Sequence, residues 1–110
     1  MTKLDEMWVE FEKHQSIAND SGYGKAWAEM CKLRTVEACL DADYAAAAYA
    51  AAAAAAEGAA AAAAYAAAAA AVYAYAGYAE AAGCAKASKY AEYCMQKAIE
   101  LINKATGEIK

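Results

Sequence analysis

The sequence predicts an all-α protein, and three observations carry that prediction. Thirty-eight of the 110 residues are alanine and none is proline. Alanine is the strongest helix former, and a chain without proline lacks the residue that breaks helices. Near both ends, apolar residues recur at steps of three and four, the spacing of a helix with one buried face. The expected architecture is an alanine-rich helical bundle or hairpin of about four segments with closely packed alanine helices. It forms a single domain over residues 1–110, because the length leaves no room for a second ordinary core.

Residues 2–18 form the first expected helix. Leu4, Met7, Phe11, His14 and Ala18 make its apolar stripe, with Trp8 and Ile17 beside it, and Lys3, Glu6, Glu10 and Lys13 take the wet side. Thr2 with Asp5 suits a helix start, where the dipole favours a carboxylate. Asn19-Asp20-Ser21-Gly22-Tyr23-Gly24 collects turn formers and reads as a loop. The second helix is expected over 25–56, opening with Trp27, Met30, Cys31, Leu33, Val36 and Leu40 among charged residues.

From Tyr44 the composition changes. Twenty-five of the 32 residues from Ala45 to Ala76 are alanine, and Glu57 is the one charge among them. Gly58 interrupts the run and predicts a break, giving a third helix over 59–82. Cys84, Ala87, Ala91, Cys94, Ala98 and Leu101 then continue the helical spacing over 84–105, ending near Thr106-Gly107. An alanine face buries little per residue, but its thinness lets helix axes approach closely over a long interface. The tyrosines of the tract scatter around a single helix axis. They read as packed rings that fix the register of an otherwise uniform surface.

Fourteen acidic and ten basic residues give a net charge of −4. No cationic stripe exists, which argues against a nucleic-acid partner. The front of the chain is acidic and its tail basic. Cys31, Cys39, Cys84 and Cys94 form no C-x-x-C pair and are expected as reduced, buried thiols in a cytoplasmic protein, no signal-peptide pattern being present. The 36-residue stretch of Tyr44 to Ala79 has the length of a membrane span, but alanine is nearly neutral for insertion, so a membrane is not the expected partner. Thr2, Thr35 and Thr106 all lie outside the tract, which argues against an ice-binding helix.

Candidate chemistry is sparse. His14, the sole histidine, sits on an apolar stripe with no second ligand at metal spacing, so neither a metal nor another cofactor is expected. Gly22-Tyr23-Gly24-Lys25 lacks the spacing of a phosphate loop and reads as an interhelical turn. With no convergent acid, base and nucleophile, the chain is expected not to be an enzyme. The candidate binding residues are Tyr23, Trp27, Arg34, Tyr73 and Tyr78: aromatic rings and one cation that could hold a ring-bearing or anionic ligand.

Leu4-Asp5-Glu6-Met7-Trp8, the segment Ala26-Trp27-Ala28-Glu29-Met30-Cys31-Lys32 and Arg34-Thr35, followed by a long alanine tract with aromatic punctuation, resemble small alanine-rich hypothetical proteins of tailed bacteriophages. Those relatives carry more Trp, Asp and Arg within the tract, where this chain has Tyr. The family brings no function. The resemblance implies an accessory protein in the host cytoplasm that sequesters a host protein or small signal molecule. The reading from sequence is thus a binding protein that self-associates; the alternative is a membrane-active, holin-like helical protein.

Overall fold

In the computed structural model, residues 3–53, 59–82 and 89–109 are described, and all the regular structure among them is α-helix. Six helices follow one another: α1 (Lys3–Lys13), α2 (Gln15–Ser21), α3 (Gly24–Leu33), α4 (Val36–Ala53), α5 (Ala59–Ala82) and α6 (Lys89–Ile109). Thr2, Gly58 and Cys84, to which the sequence assigns a cap, a break and a helix start, lie outside the described residues.

Two of the expected segments are each divided in two. The helix expected over 2–18 stops at His14, because the carbonyl of Phe11 is taken from elsewhere. It accepts the indole N–H of Trp27 at 2.8 Å and the backbone N–H of His14 at 3.1 Å, which tightens the last turn of α1. The helix expected over 25–56 stops at Arg34-Thr35. Arg34 takes the left-handed conformation (φ 52°) and its N–H closes on the carbonyl of Met30 at 2.8 Å. Thr35 then starts α4, its Oγ1 accepting the N–H of Ala38 at 3.1 Å. Thr35→Ala is therefore expected to cost about 1 kcal/mol in urea unfolding, with Thr35→Ser keeping most of the wild-type value.

The expected loop at Asn19–Gly24 shrinks to Gly22 and Tyr23, since α2 runs through Ser21. Gly22 (φ 102°) closes α2 with a bond from its N–H to the carbonyl of Ala18, a conformation that glycine adopts without strain. Gly24 is held to glycine by space: a Cβ there would lie 2.7 Å from Cα of Asn19. At the far end α6 continues through Gly107 to Ile109, past the expected stop.

Helices α4, α5 and α6 lie side by side, with α5 central, and α1–α3 cover one face of that layer, α3 against α4 and α1 against α6. The links of five and six residues are too short to span the lengths of α4 or α5, so neighbours run antiparallel. The molecule measures 45 × 23 × 19 Å. Large side chains from α1–α3 (Met7, Trp8, Phe11, Trp27, Met30) fill the core on that side, together with alanines of the layer, among them Ala42, Ala46, Ala50, Ala64, Ala67, Ala71 and Ala74, all fully buried. Gly77 lies where α5 meets α6: a Cβ on it would be 3.2 Å from both the carbonyl of Ala91 and Cβ of Cys94.

Candidate functional site

A chain of rings runs through the core beneath the layer. Trp8 meets Phe11 edge-on at 5.7 Å, Phe11 stacks on Trp27 at 5.2 Å, and His14 lies 4.9 Å from Trp27 and 5.9 Å from Tyr23. His14 and the hydroxyl of Tyr23 share a hydrogen bond of 2.7 Å at Nε2, while Nδ1 is buried without a partner. Because burial strips water from the charged form, His14 is held down to about 4 from its ordinary 6.5, so it is neutral at physiological pH. Burial likewise pushes the Tyr23 hydroxyl above its ordinary value. A neutral imidazole fixed on a tyrosine and closed off from solvent is a core element, with no route for a substrate proton.

The structure brings four of the five predicted site residues into this chain of rings. Tyr23 and Trp27 are 2% and 0% exposed and touch each other. Tyr78 leans on Trp8 at 6.4 Å, and Arg34 places its guanidinium 5.5 Å from the centre of the same Trp8 ring. Arg34 also donates from Nε to the carbonyl of Cys31 at 3.0 Å and reaches Glu12 at 3.8 Å. Tyr73 stands apart, packed edge-on against Tyr93 of α6. These contacts spend the rings on one another. Trp8, Phe11 and His14 belong to the same cluster, and the apolar stripe of the helix expected over 2–18 is the sequence signal for it.

Beside the cluster, an open cleft of about 460 Å³ is lined by Glu12, Gln15, Asn19, Ala28, Cys31 and Lys32. Gln15 donates to Asn19 and to the carbonyl of Gly24, both at 2.8 Å. Cys31 lies at its wall with its thiol pushed up to about 12, chiefly by burial and then by the Glu12 carboxylate, and Cys39 is raised to about 12 by burial alone. Both thiols are protonated at neutral pH, whereas the thiolate is the nucleophile. Cys31, Cys39 and Cys94 are free and buried. Among the described residues no group of three or more His, Cys, Asp or Glu side chains could hold a metal ion.

The other face of the layer is uncovered. Along α5, Ala62, Tyr65, Ala69, Val72, Ala76 and Ala79 recur at steps of three and four and are exposed or half-exposed. Helical geometry puts Leu40 and Tyr44 of α4 on one border of that stripe, because Tyr49, on the opposite side of α4, faces Tyr23 below. On α6, Ile99 packs towards the core beneath, which turns Tyr90, Tyr93, Lys97 and Lys104 to the same open face. Of the eight large hydrophobic residues exposed among those described, six lie here: Leu40, Tyr44, Tyr65, Val72, Tyr90 and Tyr93. Asp43 sits half-buried at the α4 border, its carboxyl raised above the ordinary value by burial. Among the described residues no helix is long and apolar enough to cross a membrane.

No family model matches this chain, and neither a curated protein nor a solved structure matches it significantly.

Proposed function

We propose that this chain works by binding rather than catalysis, as a homo-oligomeric helical assembly. Its scaffold is close packing of alanine helices in the α4–α5–α6 layer, and its working surface is the uncovered face of that layer. One observation carries the reading: six of the eight exposed large hydrophobic residues gather on a single face, while α1–α3 cover the other. Exposed hydrophobic residues scattered singly need no explanation, but a contiguous patch of several hundred Å² marks an interaction site. Water is a poor permanent cover for such a face, and a thin alanine helix at its centre lets a partner helix come close.

Association of the folded state makes apparent stability depend on concentration. The midpoint of thermal unfolding, followed by circular dichroism, is expected to fall on roughly hundredfold dilution from micromolar concentrations. A midpoint unchanged over that range contradicts the reading.

A further inference from the structure

We propose that the uncovered face is occupied by the same face of a second copy, with the two α5 helices parallel and each copy's α4 lying over the other's α6. This rests on the self-association reading and specifies its geometry. The stripe from Ala62 to Ala79 covers seventeen steps of α5, about 26 Å at 1.5 Å per residue, and three neighbouring helices make the face about 18 Å wide. That is roughly 500 Å² per copy and about 1,000 Å² over both, the size at which a specific interface becomes sustainable. The steps of three and four along the stripe are those of a coiled-coil seam, whose two sides are the same surface in a dimer.

Charge chooses the direction. Asp43 lies ten residues before the end of α4, hence about 15 Å along the layer, near the middle of α5. Ala91 and Cys94 sit beside Gly77, so Lys97 and Lys104 bracket that same middle level on the opposite border, and with the exposed Glu100 between them that border keeps a net positive charge. None of Asp43, Lys97 and Lys104 makes an ion pair with another described residue. Two faces can close on each other by a two-fold axis along α5 or one across it. The first places α4 over the partner's α6 and brings Asp43 to Lys97 and Lys104. The second keeps α4 over α4 and α6 over α6, setting Asp43 against its own copy and lysines against lysines. Like charges so placed disfavour that arrangement, and the parallel one satisfies all three groups.

Cysteine cross-linking separates the two. Tyr65 and Ala76 point outward on the stripe about 16 Å apart along α5. In a Cys84→Ser background, Ala76→Cys chains and, separately, Tyr65→Cys chains are oxidised under native conditions and run on non-reducing gels. The parallel arrangement predicts a covalent dimer as the main product of each variant alone. Linkage found only in a mixture of the two variants, or in neither while sedimentation still shows a dimer, overturns the parallel arrangement and leaves self-association standing. A monomer mass for the unsubstituted chain overturns both. As a second reading, Asp43→Lys is expected to weaken the dimer at least about tenfold, and adding Lys97→Glu with Lys104→Glu is expected to restore it; restoration failing counts against the pairing.

Discussion

Val72→Glu is expected to leave the helices intact and to abolish self-association. Val72 is 45% exposed and stands midway along the uncovered stripe of α5. Within one chain the change is mild, because glutamate has a better helix propensity than valine and the position already meets water. In the assembly the same carboxylate enters an apolar seam and faces its symmetry mate, and like charges so placed cost several kcal/mol. Since about 1.4 kcal/mol is a tenfold change, the dissociation constant is expected to rise at least a hundredfold. Sedimentation velocity beside far-UV spectra measures both sides of this prediction. Val72→Leu should associate like the parent, and Ala28→Glu, exposed on α3 away from the face, should change nothing. An associated Val72→Glu chain contradicts the assignment of the surface.

The second large effect concerns pH. His14 is held down to about 4 in the folded protein, against an ordinary 6.5, by burial among Trp27 and Tyr23. The folded state therefore binds fewer protons than the unfolded chain between those values. Stability from this source is complete above about pH 6.5 and is lost as the pH falls towards 4. At 1.36 kcal/mol per pKa unit, folding at pH 4.5 is expected to be weaker than at pH 7.5 by roughly 2–3 kcal/mol on account of this one side chain. His14→Phe removes the proton site. It leaves the Tyr23 hydroxyl without its partner, which costs about 1–3 kcal/mol at every pH, but it flattens the acid-side loss. Urea unfolding of both chains at the two pH values, at one protein concentration, isolates the difference. An equal loss in both would show that His14 is not the group responsible.

Much of the scaffold was legible because large side chains and charges alternate at helical spacing. Met7, Phe11, His14 and Ala18 fall on one stripe and are all buried, with Trp8 beside them. The break at His14 was not legible, because it depends on an indole N–H that reaches the carbonyl of Phe11 from sixteen positions further along the chain. The break at Arg34-Thr35 escaped for another reason: both residues sit comfortably in helices, and only the left-handed turn at Arg34 with the Thr35 cap shows the stop. Rings and a cation in the early helices suggested a ligand site, yet Tyr23 and Trp27 are consumed by the core. The uncovered face was hidden by uniformity. A tract that is alanine on every side has no polar side to announce which part meets water, and Tyr65 and Val72, seven residues apart, acquire meaning once α4 and α6 are set beside α5. Tyr90 and Tyr93 joined that face only through the packing of α6.

The mass of the chain in dilute buffer tests the central claim most directly. Sedimentation equilibrium at micromolar concentration is expected to give twice the 11.4 kDa of one chain, with Val72→Glu returning the single value. A stable 11.4 kDa particle for the parent chain would mean that water alone covers the Leu40–Tyr65–Val72–Tyr90 face, and the account of this protein as a self-associating helical assembly would be wrong.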